Sequence, residues 1–276
     1  MRRLAPLAAF AALLAGCGSS GPSTITIGAA RTYHLADFPR STLRAGRPER
    51  ISFVVEQPSG GALARYRTGP GPHTGVHLIF VRSDLGAIIH LHPKPAADGR
   101  IATDVTFPTP GRYRMIVDVY PAGGPQPNFQ LPRWVTVAGR AVSKPLPPFR
   151  RSVEVDGYRF TLRTPPNLHA IQASFLKFAV TDPNGRPANF MPWFGALAHA
   201  IFFRAGTLDY FHTHVCGTST TGCANFVGGP RVVGSSTKPG VLRVGILVPV
   251  AGTWRLFLQT KVDGHVLTAP FTLPVR

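Results

Sequence analysis

The chain has 276 residues and carries 30 Lys and Arg against 12 Asp and Glu, a formal net charge of +18. The positive charges are scattered in runs of no more than two, which argues for a solvated basic surface over a dedicated polyanion groove. Gly and Pro, at 29 and 28 residues, are both frequent, and no long stretch keeps a helical period, which excludes a helical bundle.

Met1-Arg2-Arg3, followed by the apolar run Leu4 to Ala15, reads as the start of an export signal. Leu14-Ala15-Gly16-Cys17 resembles a bacterial lipobox. On that resemblance residues 1–17 are a lipoprotein signal peptide, and the lipid is carried on Cys17 at the mature N-terminus. An ordinary secretory signal with an accidental cysteine is the alternative. The apolar run is too short for a transmembrane span. Residues 18–23 are Gly, Ser and Pro and suit a flexible tether. The expected location is the outer face of the cell membrane, reached through Cys17. Export sets nucleic acid aside as a partner and leaves anionic envelope polymers for the basic surface.

Residues 24–139 are expected to form a first β-sandwich. Thr24 to Ile27 and Thr32 to Phe38 open it, and Arg50 to Glu56 is a strand ended by Pro58-Ser59-Gly60-Gly61. Leu78 to Arg82 and Ala87 to Leu91 are strands around the turn residues Ser83-Asp84. Ile101 to Phe107, Arg112 to Tyr120 and Arg133 to Val137 complete the domain. Residues 140–151, with Lys144-Pro-Leu-Pro-Pro148, form a semi-rigid linker.

Residues 152–276 repeat this order as a second β-sandwich. Tyr158 to Arg163 and Phe175 to Thr181 are the early strands, and Trp193 to Ala198 leads into a hairpin. Val241 to Pro249 follows, then a closing hairpin turned at Asp263-Gly264. Gly111-Arg-Tyr-Arg114 aligns with Gly252-Thr-Trp-Arg255. Cys216 and Cys223, close together in an exported chain, are expected to form a disulfide. The rival reading makes Cys216 a soft ligand beside His214.

The repeat carries a histidine pattern. His77, His90 and His92 are spaced as His199, His212 and His214: a histidine, twelve residues, a histidine, one residue, a histidine. Two-residue hairpin loops at Ser83-Asp84 and Ala205-Gly206 would set His77 opposite His90 and His199 opposite His212. His92 and His214 would then share the same face. Each hairpin is thus expected to hold its own three-imidazole metal site, and imidazole suits copper or zinc. The alternative is that duplication copied a packing feature. Ile79, Val81 and Ile88 in one repeat, and Ile201, Phe203, Leu208 and Tyr210 in the other, continue the histidine face, so each triad should be partly buried. His73 and Met191 are possible outer ligands. His34, His169 and His265 have no counterpart in the repeat, and Asp209 points away.

These features resemble exported two-domain lipoproteins of actinobacteria. The resemblance rests on Ala198-His199, His212-Thr-His214, Gly252-Thr-Trp-Arg255, Thr268-Ala-Pro-Phe271 and His90-Leu-His92-Pro93, and it covers nearly all of the mature chain. It implies tandem immunoglobulin-like domains and envelope metal handling. Val215-Cys216 and the insertion up to Cys223 depart from it.

The expected function is a metal-binding lipoprotein that buffers copper or zinc or passes it to an exchange partner. A non-catalytic structural or adhesion module is the alternative. A three-histidine metalloenzyme stands third, because no paired Glu or Asp lies near the triads to act as general base. Serine-nucleophile motifs, P-loops and dinucleotide fingerprints are absent.

Overall fold

The computed structural model describes residues 32–38, 42–123, 127–224 and 232–276. Cys17, the tether 18–23 and the expected strand Thr24 to Ile27 lie outside these residues. Every regular element among them is a strand.

The first domain comprises β1 (His34–Ala36), β2 (Leu43–Arg44), β3 (Pro48–Glu56), β4 (Val76–Arg82), β5 (Ile88–Leu91), β6 (Arg100–Thr106), β7 (Gly111–Val119) and β8 (Phe129–Ala138). One sheet has the order β1-β3-β6, the other β2-β8-β7-β4-β5. That order is the strand arrangement of an immunoglobulin-like sandwich. Ile51, Phe53 and Val55 alternate inward along β3 and meet Leu78, Phe80, Tyr113 and Met115 from the other sheet.

The second domain comprises β9 (Ser152–Val155), β10 (Tyr158–Leu162), β11 (Ser174–Thr181), β12 (Phe190–Met191), β13 (Ala198–Arg204), β14 (Tyr210–Cys216), β15 (Gly234–Ser235), β16 (Val241–Ile246), β17 (Gly252–Val262) and β18 (His265–Val275). Hydrogen bonding runs without a break from β9 through β10, β11, β16, β15, β14 and β13 to β17, which also holds β12 and β18. The ribbon folds over itself. Phe160 and Phe178 from one half pack with Phe202, Trp254 and Phe271 from the other. The chain is therefore two tandem immunoglobulin-like β-sandwiches related by duplication.

Two Asp-Gly pairs make tight turns, because both residues take positive φ: Asp156-Gly157 between β9 and β10, and Asp263-Gly264 between β17 and β18. The second was expected. The first adds β9, a strand at the end of the linker that the sequence pattern did not single out.

The two domains meet sheet to sheet. β4 and β13 are buried on both faces, which is why Leu-Ile-Phe-Val and Ala-Ile-Phe-Phe run without polar alternation. Leu78 and Phe80 point into the first core, and Ala200 and Phe202 into the second. Their neighbours Ile79, Val81, Ile201 and Phe203 build a third apolar cluster between the domains, with Ile116 and Phe257. Leu146 of the linker packs against it.

Candidate metal centre

The hairpins place the histidines through a register that differs from the expected one. Ile79, not His77, opposes His90, and the continuing register sets His92 across from His77. In the second hairpin His199 opposes His214, and Ile201 opposes His212. The expected pairings His77–His90 and His199–His212 are thus off by two residues. The loops have four residues, not two: Ser83 to Gly86, and Ala205 to Leu208. Ser83-Asp84 does not favour the positive φ of a two-residue turn. Asp84 instead accepts hydrogen bonds from Arg82 at 2.7 and 2.8 Å and from the Gly86 amide at 3.0 Å. Leu85 and Leu208 take the left-handed position, each at φ 60. A two-residue shift preserves facing, because side chains alternate with a period of two. All three histidines of each hairpin therefore still share one face.

Those faces look at each other. The two triads form one interdomain assembly of six histidines. His90 reaches His199 at 4.9 Å and His212 at 5.2 Å between ring centroids, and His77 reaches His212 at 5.3 Å. His77 stacks on His92 at 3.9 Å, and His92 stacks on Phe194 of the other domain at the same distance. Three groups bring candidate ligand atoms within 4.8 Å of one another: His77-His90-His92, His77-His212-His214 and His90-His199-His212. The first is the triad expected in the first domain. The second-domain triad is instead divided between groups that also use His77 or His90.

The outer nitrogens are tied in a way that orients the inner ones. The carbonyl oxygens of Pro72 and Trp193 accept from Nε2 of His77 at 2.6 Å and Nε2 of His199 at 3.0 Å. Gln259 Oε1 accepts from His90 Nδ1 at 3.0 Å, while Gln259 Nε2 donates to Thr268. Such carbonyl anchors fix the tautomer and turn the other nitrogen's lone pair inward, as the outer partners of metal-bound histidines do. Nδ1 of His77, Nδ1 of His212 and Nε2 of His214 are buried and have no hydrogen-bond partner. Orphaned buried polar atoms carry a free-energy cost, and a metal ion would satisfy all three. The donor set could hold a metal ion.

Burial also keeps the rings neutral. It lowers His77 to about 3, with the charge on His199 contributing next, and lowers His199 to about 4. Burial first, and mutual repulsion second, hold His90, His92, His212 and His214 well below the usual imidazole range. Neutral imidazole is the metal-binding form.

His73 joins the assembly from the loop before β4, with Nε2 3.2 Å from His214 Nδ1 across the domain boundary. Met191 is 44% exposed on β12, opposite Lys261. Cys216 is bonded to Cys223, which removes the soft-ligand reading. His34 sits at the surface near Glu56.

Sequence reasoning missed Asp118. It is buried on β7 directly across from His77. Asn128 and Gln130 donate to it at 3.1 and 3.0 Å, and Tyr210 at 3.4 Å. Burial raises it to about 6, against the hydrogen bonds of Gln130, Asn128, Tyr210 and Tyr120 that draw it down. It borders a cavity of about 260 Å³ that also touches His73, His212 and His214. Asp118 thus brings one carboxylate beside the histidines. The available signal was one acidic residue inside the apolar run Met115 to Tyr120. Gln259, Trp193 and Phe194 were missed as well, since each reaches the histidines only through the tertiary fold.

The family model described as "Domain of unknown function (DUF8832)" matches residues 33–137 and 153–276, one copy in each domain. No curated protein matches the chain. Among solved structures, invasin, a bacterial integrin-binding protein, is 16% identical with a TM-score of 0.25, over 88% of this chain and 38% of its own. A tetra-tandem repeat from the extending region of a large adhesion protein is 12% identical at 0.25, over 89% and 49%. The fibronectin(III)-like modules of Clostridium thermocellum CbhA are 11% identical at 0.22, over 88% and 93%. The chain thus spans less than half of the invasin and adhesin structures.

Proposed function

The chain belongs to the family described as Domain of unknown function (DUF8832), and from that premise we propose that it is a metal-binding protein of the cell envelope, with copper or zinc held in one centre shared by its two domains. The observation that carries this reading is the arrangement of nitrogens. His77, His90 and His199 have one ring nitrogen fixed to a carbonyl, while His77, His212 and His214 have buried nitrogens with nothing to bind. A three-histidine group leaves a coordination position open, which suits exchange with a delivery partner. The lipobox-like Leu14 to Cys17 supports attachment at the outer face of the membrane. The basic surface suits contact with anionic envelope polymers.

Two other readings have an observation behind them. The apolar cluster around Ile79 and Phe203 would serve a structural or adhesion module equally well, with the histidines as packing. The cavity beside Asp118 would serve a metalloenzyme.

The test is calorimetric titration of untagged protein with Cu(II) and Zn(II). His90 and His212 are each present in two of the three groups, and every group contains at least one of them. His90→Ala leaves His77-His212-His214 intact, and His212→Ala leaves His77-His90-His92, so each single variant should still bind an ion. The double variant should bind none, while His265→Ala should match wild type. A double variant that binds like wild type sinks the metal reading and leaves the structural module.

A further inference from the structure

We propose that the centre is dinuclear, with the ring of His212 bridging two metal ions. The proposal rests on the metal-binding reading above and deepens it. Any two of the three candidate groups share one histidine: His77, His90 or His212. Two groups can fill together only if the shared ring offers both of its nitrogens. His77 cannot, because Nε2 is committed to the Pro72 carbonyl. His90 cannot, because Nδ1 is committed to Gln259 Oε1. His212 can, since neither of its nitrogens is held by a carbonyl.

The two nitrogens of His212 serve different groups. Nδ1 is buried without a hydrogen-bond partner, as are Nδ1 of His77 and Nε2 of His214. Together they are one candidate group, and an ion there needs no protein hydrogen bond to break. On the other side of the ring, Nε2 lies 3.3 Å from His199 Nδ1. That nitrogen of His199 is the lone-pair atom, because Nε2 donates to the Trp193 carbonyl. His90 completes the second group through Nε2, which lies 3.0 Å from His92 Nε2 and gives up that hydrogen bond to the ion. The ring of His212 thus stands between two ion positions, each using residues from both domains.

The chemistry balances without electron transfer. In the neutral ring Nε2 carries the hydrogen and donates it to His199 Nδ1. The first ion takes the free pair on Nδ1. The second ion displaces the Nε2 proton to solvent, leaving an imidazolate that ligates both ions. The second ion is therefore the one whose binding releases a proton.

The probe is Cu(II) added stepwise to the full chain, followed by electron paramagnetic resonance. The first equivalent should give the signal of an isolated ion. The second should reduce that signal, because spins joined through an imidazolate couple. In His212→Ala, which retains His77-His90-His92, Cu(II) should give only uncoupled signal. Two bound ions with additive signals in wild type, or a single bound ion, would overturn the bridge while leaving metal binding in place. No bound copper, and none in a parallel Zn(II) titration, would overturn both.

Discussion

Six imidazoles packed between two sheets govern how the protein responds to acid. In the unfolded chain each returns to a pKa near 6.5. In the fold, burial holds His77 to about 3 and His199 to about 4, and the other four well below the usual range. Below about pH 6.5 the unfolded chain therefore binds more protons than the native one, and stability falls as pH falls. Each ring contributes up to about 1.4 kcal/mol per pH unit in that window. Asp118 acts with opposite sign. Its folded value is raised to about 6, so it favours the fold as pH falls from there towards the ordinary carboxylate range. One carboxylate does not offset six imidazoles. Metal-free protein should lose stability steeply between about pH 6.5 and 4, measured as the urea midpoint. A flat profile over that range would mean that the rings are solvated.

At the scale of the elements, loops bring the histidine faces into register. The segment around Gly71 passes between the lead-in to β13 and the disulfide loop. A Cβ on Gly195 would sit 2.4 Å from the Gly71 carbonyl carbon, and one on Gly71 would sit 2.5 Å from the Gly222 oxygen. This approach positions Pro72 and Trp193, whose carbonyls anchor His77 and His199. Gly206 separates backbone strain from this contact, because its φ of +88 is close to the +78 of Gly195 and nothing lies within 4 Å of its Cβ position. Gly206→Ala should cost about 1 kcal/mol for the left-handed conformation alone. Gly195→Ala should cost clearly more and should also weaken Zn(II) binding, measured by thermal unfolding and titration together. Equal effects in the two variants would show that the close approach is unimportant to the centre.

At the scale of the molecule, the domains are joined by the apolar cluster of Ile79, Val81, Ile201, Phe203 and Phe257, with the histidines at one end of it. The Pro-rich linker takes part, because Leu146 packs on the cluster and the Lys144 amide donates to Asp84 at 3.3 Å. A shared centre is then a property of the pair of domains and not of either alone. Membrane attachment, proposed through Cys17, is a separate matter. Cys17→Ser should move the protein from the membrane fraction to the soluble one without changing metal stoichiometry. A variant that stays membrane-bound in high salt would refute lipid attachment at that residue.

Local pattern was enough to identify two β-sandwich repeats, the Cys216–Cys223 pair and a common face for the three histidines of each hairpin. These depend on alternation, turn residues and short separations, which neighbouring residues determine. Facing survived even the register error, since a shift of two leaves each side chain on its own side. The loop length was decided by Arg82 closing on Asp84, a contact that spacing does not reveal. The joining of two triads into one centre was decided only by the docking of the domains. His90 meets Gln259 across 169 positions of sequence, and Asp118 faces His77 from a different strand. The unbroken apolar runs of β4 and β13 showed that something must cover both faces of each strand. They carried no mark of what that cover is, because burial records the loss of water and not the identity of the neighbour.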